Sequence, residues 1–314
     1  MLRYVDLVQK PKRFLALTGY TVDEFRALLS FFIVRFQTYV SIFTLEGKPR
    51  QNRTYSTYKN SSLPSMEDKL LFILNYMKTY PIQQSQAQLF GMEQSQANQW
   101  IHLLLPLVKL SLAECGELPA RKKADFNLDE DEVGLFFHDG TERPINRPQD
   151  PEEQEIYYSG KKKQHMVKND VLSDERCKVR FLSDTVEGRK NDKRLADESG
   201  YGVPAGSVLV QDAGFQGFEL TGVAILQPRK KPRGGELSYA DKVRNRLISS
   251  IRVRVEHVIG GVKRYRIVKD KLRNWKPGFR DLVCEICCGL HNFRLNFRPW
   301  HYKPIIYLHC LLKS

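Results

Sequence analysis

The stretch VGLFFHDGTERPINRP, Val133 to Pro148, decides how this chain is read. Val133 to Phe137 form an unbroken apolar run, the pattern of a strand buried on both faces. The run stops at His138-Asp139-Gly140-Thr141-Glu142, so the spacing predicts a strand that ends by delivering a carboxylate. For Asp139 alone, a turn or a helix cap is explanation enough. A second stretch weakens that explanation. SVLVQDAGFQG, Ser207 to Gly217, ends another apolar run in Asp212 and must turn at Ala213-Gly214. Ligand sites of α/β sheets gather at the carboxyl ends of strands. Two neighbouring carboxylates stay ionised only if cations sit between them, and hard divalent ions such as Mg²⁺ suit such oxygens.

A third acid lies in NRLISSIRVRVEHVIGGVKRYRIVKD, within a helix predicted from about Leu237 to Arg266. Glu256 has Arg252 four residues before it and Lys263 seven after it, all on one helix face. Val253, Val255, Val258 and Ile259 supply an apolar side for packing on a sheet. A solvated Arg–Glu pair worth about 0.3–0.5 kcal/mol would explain Arg252 and Glu256 without any chemistry. Gly260-Gly261 weaken the helix by about 1 kcal/mol each. The surrounding charge argues for more than a solvated face. Arg229 to Arg273 hold 15 basic residues against four acids, which is +11 of the chain's formal +14. Such a surplus favours a polyanion, nucleic acid first and an anionic membrane second. A second basic run, Lys161-Lys162-Lys163, follows Tyr157-Tyr158-Ser159-Gly160, a pattern suited to gripping a phosphate backbone and stacking bases.

The 314 residues suffice for two domains, and 41% apolar content is that of a globular chain. No apolar run approaches the ~18 residues of a membrane span, and the N-terminus MLRYVDLVQKPKRF lacks a signal-peptide core. Six cysteines are too few for a disulfide framework, so a reduced, intracellular setting is expected. Cys284, Cys287, Cys288 and His291 make only half of a zinc motif, and their helical spacing favours core packing.

Residues 1 to about 118 read as helical. Thr21 and Glu24 form a capping box before an apolar-periodic run, and Gly47 to Ser62 read as a polar loop or linker. Three helices follow: one opened by Ser65 and stopped before Pro81, one over Gln84–Phe90, and one over Gln94–Leu110. A short helix, a turn with Gly91 and a longer helix is the helix-turn-helix pattern. It places Gln94, Ser95, Asn98 and Gln99 where they can hydrogen-bond base edges or phosphates. From about Leu128 strand runs alternate with helices, over Val133–Phe137, Lys178–Leu182, Ser207–Val210 and Val223–Leu226. A last helix covers Phe279–Phe293.

Three blocks carry a family resemblance: DGTERPINRPQDPEEQEIYYSGKKKQHMVKNDVL, VLVQDAGFQG and RVRVEHVIGGVKRYRI. Together they resemble the DDE transposases of bacterial insertion sequences, in the group related to the eukaryotic Harbinger elements. The likeness covers roughly residues 60 to 295. It implies an α/β, RNase H-like catalytic domain, a mixed sheet with flanking helices, preceded by an all-α helix-turn-helix domain. The expected boundaries are 1–120 for the helical region, with the DNA-binding domain at about 65–112, then 121–300 for the catalytic domain and 301–314 for a tail. Asp139, Asp212 and Glu256 fall on the family's catalytic, metal-binding triad, and Arg252 and Lys263 on its phosphate-binding cations. The resemblance implies two Mg²⁺ ions with Mn²⁺ as a substitute, and terminal inverted repeats and target DNA as partners. It also implies a homo-oligomer, at least a dimer on DNA, in a bacterial cytoplasm near the nucleoid, with no membrane. The chain departs from the family in two places. Ser249 stands where a Tyr is usual, and Gly188-Arg189-Lys190-Asn191-Asp192 replaces the usual Gly-Ser-x-His-Asp. The residues after Trp300 match nothing in the family. A transposase is the reading expected; a non-catalytic DNA-binding derivative and a nuclease without strand transfer are the alternatives.

Overall fold

The structure is a computed structural model and describes residues 1–51, 54–58, 60–126, 133–303, 305 and 308–313. Leu128, where the sequence pattern changes, lies outside the described residues, as do parts of the polar loop and of the tail. In chain order the elements are α1 Tyr4–Leu7, α2 Pro11–Thr18, α3 Val22–Ile42, α4 Met66–Thr79, α5 Gln83–Phe90 and α6 Gln94–Glu114. Then come β1 Leu135–Pro144, α7 Pro151–Tyr157, β2 Tyr158–Ser159, β3 Gln164–Ser173, β4 Val179–Leu182, β5 Val186–Glu187 and α8 Asp192–Ser199. The chain continues through β6 Val208–Val210, β7 Ala224–Leu226, α9 Tyr239–Val262, α10 Arg266–Lys269, α11 Phe279–Leu295 and α12 Leu308–Lys313. These form two compact units, one of Met1–Leu118, Val262–Asp270 and Asn274–Phe297, the other of Pro119–Gly261, Lys271–Arg273 and Arg298–Ser314.

The first unit is helical. At α3 the Thr21 hydroxyl accepts from the Glu24 amide at 3.3 Å while the Glu24 carboxylate accepts from the Thr21 amide at 2.7 Å, a complete capping box. By length and composition α3 is apolar enough to cross a membrane, against the expectation that no stretch of the chain is. Its Phe25, Leu28, Phe32 and Phe36 are buried within the unit, as in a core helix. The α5–α6 pair is joined through Gly91, whose φ of 66° ends α5 in the left-handed conformation that glycine adopts at least cost. The helix predicted to end at Leu110 continues to Glu114.

The unit's last helix, α11, was expected in the catalytic domain, with a boundary after residue 300. It packs instead on α6. Asn292 Nδ2 donates to the Glu117 carbonyl at 2.9 Å, and the Tyr20 hydroxyl donates to the Leu290 carbonyl at 2.8 Å. The cause is its apolar stripe: Val283, Cys284, Ile286, Cys287, Cys288 and Leu290 are all buried. The cysteines are therefore core residues, as their spacing predicts, and the described residues hold no cluster of His, Cys, Asp or Glu fit for a metal.

The second unit is built on a mixed sheet of order β2-β3-β1-β6-β7, with β4 and β5 also pairing with β3. β3 runs antiparallel to β1, while β6 and β7 run parallel to it. Side chains of β1 alternate between two cores. Phe136 packs with Leu172, Phe181, Ala196 of α8, Tyr201 and Phe215. Phe137 packs with Leu135, Val210, Leu226 and Ile248, Ile251 and Val255 of α9. Burial on both faces explains the unbroken apolar run. Leu311 of α12 joins the Phe137 core, so part of the tail that matched nothing in sequence completes this unit.

Two expectations need correction. β1 does not stop at Phe137 but runs to Pro144, because Gln164–Ser173 supplies an antiparallel partner as far as Pro144↔Met166. That partner carries Lys168, Asn169 and Asp170 in its middle, which breaks the apolar pattern of a strand. The long helix ends at Val262, not Arg266, and Lys263 lies in the turn beyond Gly260-Gly261. The helix face assumed to carry Lys263 therefore stops short of it.

Phe137→Ala should destabilise the second unit by about 3–5 kcal/mol. Val133→Ala should change it by less than about 0.5 kcal/mol, because Val133 precedes the strand and is exposed. Urea denaturation followed by far-UV circular dichroism checks both.

Candidate active site

The parallel register puts the two aspartates side by side. Phe137 pairs with Val210 as the last parallel rung, and Asp139 and Asp212 each stand two residues beyond it. Asp139 is thus at a ladder end on one side only, since on the other it still pairs with Val171 of β3. Each carboxylate accepts from the amide that follows it, Asp139 Oδ1 from Gly140 at 2.8 Å and Asp212 Oδ1 from Ala213 at 2.7 Å.

The cation between them is a side chain of α9. Arg252 Nη2 lies 3.6 Å from Asp139 Oδ2, and Nη1 lies 3.3 Å from Asp212 Oδ1. Helix packing makes this possible: Ile248, Ile251 and Val255 bury α9 on the sheet and leave Arg252 over the strand ends. Its side chain is only 13% exposed, and its buried Nε has no hydrogen-bond partner among the described residues. In this geometry Arg252 serves the carboxylates and is not presented outward to phosphate. Glu256, one turn further along α9, is exposed, and no three acidic or imidazole side chains among the described residues stand close enough to share a metal.

Burial pushes the Asp139 carboxyl up from its ordinary 3.8 to about 6. Arg252, His138 and the Gly140 amide pull the other way, and the charge of Asp212 adds to the rise.

The remaining sequence candidates lie elsewhere. Gln94, Ser95 and Gln99 are exposed at the start of α6, and Asn98 is half-buried. Gln83 Oε1 accepts from Gln94 Nε2 at 2.6 Å and from Asn98 Nδ2 at 3.1 Å, which ties the start of α6 to α5. Lys161, Lys162 and Lys163 form the exposed tip of the β2–β3 hairpin, with Lys163 at φ 52°. Lys263 is half-buried in its turn.

Residues 138–292 match the model for DDE superfamily endonuclease, and residues 61–114 match the helix-turn-helix of DDE superfamily endonuclease. The chain belongs to the DDE superfamily endonucleases. A protein of Microchaete diplosiphon named as a transposase for insertion sequence element IS702 is 26% identical, over 73% of this chain and 81% of its own length. One of Streptomyces albus G named as a transposase for insertion sequence element IS112 is 29% identical, over 67% of this chain and 73% of its own. No solved structure matches the chain significantly.

Behind the aspartates this DDE-family chain builds a polar layer that sequence patterning does not reveal. His138 and Gln211, which immediately precede the two aspartates, are fully buried and joined, Gln211 Nε2 to His138 Nδ1 at 2.7 Å. Tyr201 Oη lies 2.9 Å from the same nitrogen, and the buried Asp170 lies 3.4 Å from His138 Nε2. Gln227 Nε2 donates to Gln211 Oε1 at 2.7 Å, extending the layer to the end of β7. The polar residues interrupting β3 were the available signal, since a buried strand carries them only when they have partners.

A carboxyl raised in the folded state stabilises the fold while protonated. That contribution is full below about pH 4 and is lost as pH rises through about 6. Asp139→Asn should therefore melt higher than the parent at pH 8, by roughly 2–3 kcal/mol, with the difference vanishing towards pH 4. Metal-free melting of both proteins across this range checks it.

Proposed function

We propose that this chain is a transposase that binds the terminal inverted repeats of a mobile element and cuts and joins DNA through Asp139, Asp212 and Glu256. The observation that carries the reading is the pair of carboxylates two residues beyond one register rung, held to a single cation. An RNase H-like assignment of the second unit is supported by a central β1 with antiparallel β3 on one side, parallel β6 and β7 on the other, and α9 across one face. Residues 61–114 support DNA recognition by the α5–α6 pair.

The donor set suits a hard divalent cation. Two carboxylates already draw a guanidinium between them, and both offer oxygen ligands. Asp139 and Asp212 would hold Mg²⁺, and Glu256 would complete the set from α9. Bound there, the metal would lower the pKa of an attacking water and stabilise the departing 3′ oxygen. The Gly140 and Ala213 amides fix one oxygen of each carboxylate, and a metal would compete with Arg252 for Asp139 Oδ2. Arg252 supplies a positive charge to both carboxylates without metal. Lys161–Lys163 would grip phosphate, while Gln94, Ser95, Asn98 and Gln99 would read or anchor the repeat. Joining two element ends calls for at least two copies of the chain.

Incubation with DNA carrying the flanking repeats and Mg²⁺ or Mn²⁺ tests this. The intact protein should nick at the element end, and Asp139→Ala, Asp212→Ala and Glu256→Ala should abolish nicking while still binding DNA. A parent that cuts no better than Asp139→Ala defeats the catalytic reading. Cleavage without joining to a target favours a nuclease. Replacing Lys161, Lys162 and Lys163 by Ala should lower the slope of log affinity against log salt by about 1 for each phosphate no longer neutralised, in filter binding or fluorescence anisotropy. Gln99→Ala should cost about 1–3 kcal/mol on the cognate repeat and little on random DNA if it meets a base edge.

A further inference from the structure

A third carboxylate stands against both aspartate-bearing segments from the other side. Asp192 opens α8, and its side chain is 40% exposed. A methyl group added to Gly140 would lie 3.4 Å from Asp192 Oδ1, and one added to Gly214 would lie 3.1 Å from Oδ2. Each oxygen thus faces a different aspartate-bearing segment: Gly140, within β1, directly follows Asp139, and Gly214 is two residues past Asp212. Neither glycine has a positive φ, so space and not backbone freedom favours glycine here.

The carboxylate is itself held. Lys168 of β3, whose side chain is almost wholly buried, places Nζ 2.7 Å from Asp192 Oδ1 and donates to the Lys190 carbonyl at 2.9 Å. Glu142 Oε1 lies 4.0 Å from the same nitrogen. Asn191 caps the helix, its Oδ1 accepting from the Lys193 amide at 2.9 Å. An acid in the first turn of a helix is usually explained by the helix dipole. That explanation does not require each oxygen to face a different aspartate-bearing segment, nor a buried lysine to fix one of them.

We infer that Asp192 is a positioning residue that wedges the Asp139 strand and the Asp212 turn at a set separation, with Lys168 anchoring the wedge. This rests on the reading of Asp139 and Asp212 as the metal-binding, DNA-cutting pair. Asp192 stands where side chains at both glycines would meet it, so its shape and its bond to Lys168 matter more than its charge. Asn keeps both; Ala keeps neither. Gly214→Ala should press on the wedge, because a 3.1 Å approach forces a neighbour to move. Gly140→Ala, at 3.4 Å, should be milder.

The test uses the full-length chain with end-repeat DNA, and Mn²⁺ titrated calorimetrically into the DNA-free protein. Asp192→Ala should lower kcat about 10- to 100-fold and weaken Mn²⁺ binding by a similar factor, with KM for DNA unchanged. Asp192→Asn should recover most of both, and should fold as the parent does by circular dichroism and melting. Gly214→Ala should lower kcat in the parent and add nothing in the Asp192→Ala background, the non-additivity expected of two groups that touch. If Asp192→Asn is as inactive as Asp139→Asn, Asp192 ligates metal directly and the positioning role is wrong. An Asp192→Ala protein with parental kcat and Mn²⁺ affinity, or purely additive losses with Gly214→Ala, also overturns it. A parent no more active than Asp139→Ala defeats the catalytic reading instead, and the Mn²⁺ titrations still report on Asp192.

Discussion

Two carboxylates delivered side by side by adjacent parallel strands repel each other, and burial raises the cost of ionising Asp139. Everything around Asp139 and Asp212 answers that constraint. Arg252 reaches over from α9 with one guanidinium nitrogen towards each, at 3.6 and 3.3 Å. For α9 to hold it there, Ile248, Ile251 and Val255 must pack on Phe137, Val210 and Leu226, so the core of the second unit is also what aims the arginine. Burial still prevails at Asp139, whose carboxyl rises to about 6.

The same strands are stiffened from behind. Buried Gln211, His138 and Asp170 link β6, β1 and β3 beside the aspartates, and half-buried Gln227 extends the layer just past β7. His138 Nε2 and Asp170 Oδ1 have no hydrogen-bond partner among the described residues, so the layer is only partly satisfied and costs stability. Asp192 and Lys168 then close the site from the α8 side. The aspartate pair is therefore bordered by helix, sheet interior and loop in turn.

Much of this was legible in residues. The apolar runs before Asp139 and Asp212, the Thr21–Glu24 box and the Gly91 turn each carry a local physical cause, and each stands where the pattern puts it. β3 escaped because its partners, not its own periodicity, make it a strand: Lys168, Asn169 and Asp170 are polar yet buried, each with a neighbour from a distant segment. Once β3 is absent from a reading, β1 ends at Phe137 when in fact it runs to Pro144. The placement of α11 escaped for a similar reason. Its apolar stripe announces burial without saying against what.

The sequence by itself determined which carboxylates follow the apolar runs of the central strands, where the helix-turn-helix lies, and that a strongly basic segment surrounds Glu256. Those follow from local period, capping chemistry and charge. Only the tertiary structure decided that Arg252 sits between the two aspartates while Glu256 faces solvent one turn away, that α11 belongs with the N-terminal helices, and that Asp192 lies against Gly140 and Gly214. Each depends on segments far apart in the chain meeting in space, and hydrophobic periodicity records that a face is buried but not which partner covers it.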